Sequence, residues 1–535
     1  MISIADGIGL LIGIVVIATI ADRLRLPYPI LLVLAGIGVA LIPTEHRVEL
    51  QPDLVLLVFL PPLIYDASLD TSARELRSHL RPILLLAVGL VVATMVAVAV
   101  VIHSVVSGMS WAVAFALGAI VSPPDSVAAT QIAGKLGLPR RLVTILGGEG
   151  LMNDATALTA YAVAVTAVGA GFTLADVFGR FLFAVVVGVA IGLFVGWFGV
   201  RMLRLTETPV IENTMLLILP FAAYLPADKV GASGVLAVVA TGLYFGHYGS
   251  RTLTAAARLQ QREIWDLIVF LLTGMSFLLV GLELRPILDN LVNRESGSLA
   301  LEAIAVVGAV IVVRMAWMFA ATALPGGERL FGASLQSGRS WRETAIVGWA
   351  GMRGAVSLAA SLALPQSFPE RDLLVFVTFA VIVVTLVGQG LTLPPLIRRL
   401  GLVTRDEQDM VLVAEARRRL TVLALSRIDD LSVGAGVPED VTKRIRSGYE
   451  SQLARIDRRL EAMSSGHPDR DGSGGQPGPT VGSNERLQAE LELRRLLIAV
   501  ERDELDQWLA RRKVTVRVAD GVRAALDIDE TTMRP

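Results

Sequence analysis

The chain has 535 residues, of which 53% are hydrophobic and 18% charged, with a formal net charge of −1 and a mean hydropathy of +0.62. Soluble domains carry about 25% charged residues, so this is the composition of a membrane protein, and its balanced charge gives no sign of a nucleic-acid partner. Cysteine is absent and only five histidines occur, none at metal-ligand spacing, which excludes disulfides and thiolate chemistry and argues against a transition-metal centre or other resident cofactor.

The first segment, MISIADGIGLLIGIVVIATIADRLRL, lacks a basic start and is bounded by Asp6 and by Arg23 and Arg25. It reads as a retained spanning helix rather than a cleaved signal. Given that a span needs roughly 20 apolar residues, thirteen candidates follow, at about 7–21, 28–43, 53–66, 82–106, 111–133, 142–168, 177–200, 213–225, 231–247, 265–284, 300–324, 344–364 and 372–396. Spans 8 and 9 are short, are separated by LPADKVG, and are expected to be broken or re-entrant. The odd-numbered connections hold sixteen Lys and Arg and the even-numbered ones six. By the positive-inside rule the odd connections are cytoplasmic, the N-terminus faces out and the C-terminus in, across the cytoplasmic membrane.

Residues 401–535 hold 46 of the 97 charged side chains. Their mixed-charge segments have helical spacing, whereas SSGHPDRDGSGGQPGPTVGSN is rich in Gly, Ser and Pro and reads as a linker. The expected domains are a membrane domain over 1–400, a cytosolic helical segment over 401–463, a disordered linker over 464–484 and a helical tail over 485–535. The tail's role is left open between a plain appendage, regulation and a dimer contact.

Two spans carry helix breakers at mid-length. Span 5 contains Pro123–Pro124, and span 12 contains Gly351 and Gly354 around Arg353. Interrupted spans in corresponding positions of two halves are the mark of inverted-repeat transporters, and broken backbone at membrane depth is tolerated only inside protein or along a cavity.

Ionisable residues at mid-span cost roughly 2.5–3.5 kcal/mol each on insertion scales, and are functional candidates by default. Here they are Asp66, Asp125, Glu149, Asp154, Arg314 and Arg353. Four acids share two bases, so not every acid has its own arginine. A paired acid is held ionised and serves architecture. An unpaired one is better neutralised, by a proton or by a small hard cation that prefers oxygen ligands. Glu149 and Asp154 are five residues apart, about 140° round a helix, so one can be structural while the other meets a cavity. Asp125 lies at the Pro break, where a carboxylate offsets the partial positive charge of a helix N-terminus. The adjacent Pro124 can still offer its backbone carbonyl to an ion.

Six blocks in order make the chain recognisable: FLPPLIYDASL (59–69), GAIVSPPDSVA (118–128), GEGLMNDATAL (148–158), ADKVGASGVLAVVATGL (227–243), EIWDLIVFLLTGMSFLLVGLEL (263–284) and GWAGMRGAVSLA (348–359). Residues 1–400 resemble the monovalent cation:proton antiporters, in the branch shared by bacterial Na⁺/H⁺ antiporters and animal sodium–proton exchangers. The resemblance implies an all-α polytopic fold of thirteen transmembrane helices in two inverted repeats. Two broken helices would cross in a mobile core beside a dimerisation domain, so that the protein would be a homodimer. It implies that Asp154 binds the cation or the proton, with Asn153 beside it suggesting electroneutral one-for-one exchange, and that Asp66 helps to coordinate the ion. It further implies that Glu149 and Arg353 form the pair bridging the core helices, and that Arg314 is a second basic core position with no partner assigned. Ser122-Pro123-Pro124-Asp125-Ser126 departs from the usual Ser-Pro-Thr-Asp-Pro, Gly150 replaces a serine, and Thr273 stands where asparagine is common. These departures bear on ion preference more than on exchange.

The expected activity is therefore antiport of Na⁺, or Li⁺, against H⁺ by alternating access, not an enzymatic reaction. A K⁺/H⁺ antiporter of the same fold is the nearest alternative. A cation channel would carry current without proton counter-flux. An intramembrane aspartic protease would use Asp66 after Tyr65 together with Asp154, but Met152–Asn153 does not supply the Gly-x-Gly that precedes the second aspartate in such enzymes.

Overall fold

The computed structural model describes residues 4–531, apart from 25, 43–54, 70, 72–79, 137, 169–173, 250–251, 292–295, 324–339, 403–406, 466–483, 512 and 515. Among the described residues every regular element is helical, as a bilayer demands of a backbone that must satisfy its own hydrogen bonds. The principal helices are α1 (Ile4–Leu24), α2 (Tyr28–Ala40), α3 (Leu60–Leu69), α4 (Leu80–Val105), α5 (Trp111–Val121), α6 (Ser126–Lys135), α7 (Arg140–Ala167), α8 (Leu174–Leu203), α9 (Pro209–Lys229) and α10 (Gly234–Tyr248). They continue as α11 (Ala255–Leu282), α12 (Ser296–Ala323), α13 (Ser340–Trp349), α14 (Ala355–Leu362) and α15 (Arg371–Leu400), then α16 (Glu407–Gly434), α17 (Glu439–Ser465), α18 (Asn484–Ala510) and α19 (Val516–Thr531).

Among the described residues seven runs, on α1, α4, α8, α9, α11, α12 and α15, are long and apolar enough to cross a membrane. The other six expected spans are helical too, but shorter, interrupted or more polar. One expectation is corrected: α9 is continuous through Pro220 and Pro226, and α10 follows it unbroken after a turn at Gly231, whose φ is +73°. Spans 8 and 9 are therefore not broken; the LPADKVG segment closes one helix and turns into the next. Residues 466–483, nearly all of the expected linker, lie outside the described residues.

The chain divides into two compact units, Met1–Leu253 with Glu263–Thr404, and Thr254–Arg262 with Arg405–Pro535. In the first unit, α4, α5, α7, α12, α13, α14 and α15 pack together, while α3, α8, α9 and α10 form a second group. The close α8–α10 crossing has a sequence cause. Gly188, Gly192 and Gly196 recur every fourth residue on α8, and a Cβ at the first two would run into the backbone carbonyls of Ser233 and Ala237. Small residues at that spacing let membrane helices approach closely, and Thr241 Oγ1 donates across the gap to the Gly192 carbonyl at 2.9 Å. α8 also exposes Phe178, Phe183, Phe194, Trp197 and Phe198, a surface suited to lipid. The second unit has its own core, in which Ala416, Leu420, Leu505, Val522 and Leu526 meet.

Candidate ion-binding site

The site is assembled from two interrupted spans. Pro123 and Pro124 carry no N–H, and each disfavours helical backbone in the residue before it; α5 accordingly stops at Val121. Helix resumes at Ser126 because Asp125 Oδ1 accepts from the N–H groups of Val127 at 2.8 Å and Ala128 at 3.3 Å. In the partner span, residues 351–354 are non-helical between α13 and α14. The two breaks meet directly, since the Asp125 N–H donates to the Met352 carbonyl at 2.6 Å. A Cβ at Gly354 would fall within the Asp125 carboxylate, and one at Gly351 within the Arg314 side chain. Both glycines are thus demanded by close approach.

Each interruption leaves carbonyls at a half-helix C-terminus with partial negative charge and no intrahelical partner. Arginines supply the donors. Arg353 donates through Nε to Val121 O at 3.0 Å and through Nη2 to Ser122 O at 3.3 Å, covering the end of α5, and through Nη1 to its own Gly351 carbonyl. Its backbone N–H donates to Thr385 Oγ1 at 3.1 Å, at a π-helical turn over Val384–Gln389 that interrupts α15. Arg314 donates through Nε to Gly348 O at 3.2 Å and through Nη2 to Val347 O at 3.1 Å, covering the end of α13. Arg371 donates to Leu362 O and Leu364 O, both at 3.0 Å, at the end of α14.

The expected pairing of Glu149 with Arg353 is corrected. Glu149 is paired with Arg314, through two parallel bonds of 2.5 and 2.9 Å, and both residues are 1% exposed. The physical reason lies in the half-helix ends. Arg353 is spent on the carbonyls of α5, whereas Arg314 approaches the end of α13 with one edge of its guanidinium free for a carboxylate fork.

A cavity of about 60 Å³ opens beside the crossing, enough for a few waters or for a small cation with part of its shell. Its lining includes Asp154, Pro124, Asp125, Gly354 and Ser357, together with Leu60 and Ile64 of α3 and Thr273, Ser276 and Phe277 of α11. Two acids reach it. Asp125 is engaged by the N-terminus of α6. Asp154 has no hydrogen-bond or ion-pair partner among the described residues. Beside it, fully buried Asn153 donates through Nδ2 to the Pro124 carbonyl at 2.9 Å, tying α7 to the break; its Oδ1 is buried without a partner.

Sequence reasoning thus finds Asp154, Asn153, Pro124 and Asp125, and the structure brings all four together. It does not bring Asp66 with them: this residue is half-buried on α3 and is not among those lining the cavity, although its neighbour Ala67 is. Sequence reasoning misses Ser276 and Ser357 as wall residues, because isolated serines in apolar spans carry no distinctive signal. It also takes Arg371 for an ordinary connection charge, although its place just beyond a broken span could have suggested a cap. Among the described residues no group of three or more His, Cys, Asp or Glu is arranged to hold a metal ion; the acids that line the cavity are Asp154 and Asp125.

The model of the family described as "Sodium/hydrogen exchanger, transmembrane" matches residues 10–399. An uncharacterised Na⁺/H⁺ exchanger of Mycobacterium tuberculosis is 36% identical over 464 residues, covering 84% of each chain. A Bacillus subtilis protein named as a sodium, potassium, lithium and rubidium/H⁺ antiporter is 32% identical, covering 72% of this chain and 60% of its own. The solved structure of the sodium–proton antiporter MjNhaP1 from Methanocaldococcus jannaschii matches with a TM-score of 0.56 at 17% identity, covering 74% of this chain and 96% of that one, a likeness of fold. On the family match, the chain belongs to the sodium/hydrogen exchangers, membrane antiporters that move a cation against a proton.

Proposed function

We propose that the chain exchanges Na⁺ for H⁺, one for one and without net charge movement, by alternating access at Asp154. The observation that carries this is a cavity with one uncommitted carboxylate. Glu149 is neutralised by Arg314 and Asp125 by a helix N-terminus, which leaves Asp154 to be neutralised by its substrate. With a proton the site is neutral; with Na⁺ it is neutral again; ionised and empty, it is a bare charge facing an apolar barrier, at a cost of several kcal/mol. That penalty couples the two fluxes. Around the cation, Asp154 supplies the charge. The second lone pair of the Pro124 carbonyl and the Asn153 side chain supply neutral oxygen and hold the broken helix in register. Asp66 serves as an outer acid on α3.

The thirteen crossings, the inverted repeats, the homodimer, and the cytoplasmic membrane with N-terminus out and C-terminus in belong to the same proposal. They are supported by the loop charges and the family match. K⁺ is the second reading, because the Bacillus subtilis relative's name includes potassium. The test is dye-reported proton movement in everted vesicles after separate additions of Na⁺, Li⁺, K⁺ and Ca²⁺. Na⁺ and Li⁺ should dissipate the proton gradient in the wild type and not in Asp154→Asn, which should still insert and fold. Normal exchange by Asp154→Asn would refute the assignment, and a response to K⁺ alone would replace the ion.

A further inference from the structure

A hydroxyl group inside a helix has a ready outlet: the Ser or Thr side chain turns back and donates to the carbonyl four residues earlier. Ser276 does so to Leu272 at 2.8 Å, and Thr159 to Ala155 and Thr385 to Val381, both at 2.7 Å. Thr273 on α11 departs from this habit. It is 1% exposed, and its buried Oγ1 has no hydrogen-bond partner among the described residues, the Val269 carbonyl four positions back included. An unmet buried hydroxyl destabilises the protein that carries it. Thr94 and Thr378 share the feature, but neither lines the ion cavity. Thr273 does line it, together with Ser276 and Phe277, the i, i+3 and i+4 positions of one helix face.

Most of the other oxygens around the cavity already hold a proton donor or have placed their own. Asp125 Oδ1 accepts from Val127 and Ala128, the Pro124 carbonyl accepts from Asn153, and the Ser276 hydroxyl donates to Leu272. Asp154 brings a charge, but a small hard cation gathers several oxygens. A hydroxyl that ligates a cation turns its lone pairs to the ion and must send its proton elsewhere. Thr273 has such an outlet. The Tyr28 hydroxyl of α2 stands beside both Thr273 and Gln131 of α6, with its ring tilted against Phe270 of α11 at a centroid distance of 5.4 Å. Gln131 Oε1 is itself buried without a hydrogen-bond partner among the described residues. Thr273 can therefore donate to Tyr28 and Tyr28 to Gln131, which leaves the lone pairs of Thr273 for the cavity.

We propose that the Thr273 hydroxyl is a neutral ligand of the bound Na⁺ or Li⁺, oriented by Tyr28 and Gln131, and that it sets cation affinity while taking no part in proton binding. The proposal rests on the antiport reading and adds a residue to its site. In the empty protein the hydroxyl is unsatisfied; the arriving cation satisfies it, so the cost is recovered only in the cation-bound form.

The experiment compares full-length wild type, Thr273→Val, Thr273→Ser, Thr94→Val and Tyr28→Phe in proteoliposomes. It measures the apparent KM for Na⁺ and Li⁺ from pH 6 to 9, and the melting temperature of each solubilised protein with and without Na⁺. Thr273→Val keeps the shape and removes the hydroxyl. It should raise KM about tenfold at every pH, leave the pH at which KM levels off where wild type has it, and melt no lower than wild type in Na⁺-free buffer. Added Na⁺ should raise its melting temperature less than that of wild type at the same concentration. Thr273→Ser, which keeps the hydroxyl, should stay close to wild type. Thr94→Val, which loses a buried hydroxyl away from the cavity, should leave KM unchanged. Tyr28→Phe should raise KM in the wild type but not further in Thr273→Val. A KM for Thr273→Val equal to that of wild type, a rise matched by Thr94→Val, a rise accompanied by a lower melting temperature, a shift in the levelling pH, or an independent effect of Tyr28→Phe would overturn the proposal. A wild type without Na⁺-dependent proton flux would instead refute the antiport reading.

Discussion

The change of partner at Glu149 gives the sharpest energetic prediction. Glu149 and Arg314 are each 1% exposed and joined by two bonds. Removing either member of such a buried pair strands a charge and costs about 3–5 kcal/mol. The two losses should differ. Glu149→Ala leaves Arg314 its two carbonyl acceptors, Gly348 and Val347, whereas Arg314→Ala also strips those carbonyls of their donor, at about 1–3 kcal/mol for each left unsatisfied. Arg314→Ala should therefore be the more destabilising. In the double variant no stranded charge remains, and the pair should show a coupling of at least about 2 kcal/mol. Glu149→Ala combined with Arg353→Ala should be close to additive, because Arg353 is spent on Val121 and Ser122. The assay is thermal stability of the detergent-solubilised protein by fluorescence-detected size exclusion. Additivity at Glu149/Arg314, with strong coupling at Glu149/Arg353, would refute the pairing.

Other outcomes follow from the same geometry. Gly354→Ala places a methyl group on the Asp125 carboxylate; it should displace the cap of α6, cost about 1–2 kcal/mol and depress transport, as thermal shift and vesicle flux would show. Arg353→Gln should lower stability by uncovering the end of α5 while leaving Na⁺ preference unchanged, which flux measured with Na⁺ and Li⁺ checks. In the second unit, the rise of Glu501 on burial from 4.5 to about 7 corresponds to about 3 kcal/mol of stability present below pH 4.5 and lost as pH climbs through 7. Hydrogen exchange of residues 407–531, corrected for intrinsic rates, should be faster at pH 8 than at pH 6, and Glu501→Gln should remove the difference.

How much of this was legible depends on how local each cause is. The breaks were visible because Pro123–Pro124 and Gly351/Gly354 act on their own backbone. Asp154 was legible through the resemblance of its block to the family, whereas the residues alone left both Asp66 and Asp154 without an assigned partner. The partner of Glu149 was not legible. Two arginines compete for it, and the choice depends on which half-helix terminus each one reaches, a matter of three-dimensional placement. Asp66 illustrates the same limit: its residue type is right, but the helix phase puts Ala67 and Leu63, not Asp66, on the cavity. The pairing of Arg258 with Asp527 was also hidden, since Arg258 looks in sequence like one more connection charge, and its partner lies 269 positions away.

The central claim is that one carboxyl group, Asp154, holds either a proton or a cation and never both. The most direct test is the apparent KM for Na⁺ as a function of pH in proteoliposomes containing the full-length protein. Competition for one carboxyl predicts that KM falls about tenfold per pH unit on the acid side and levels off once the group is ionised. A KM that does not change with pH, while exchange continues, would contradict it.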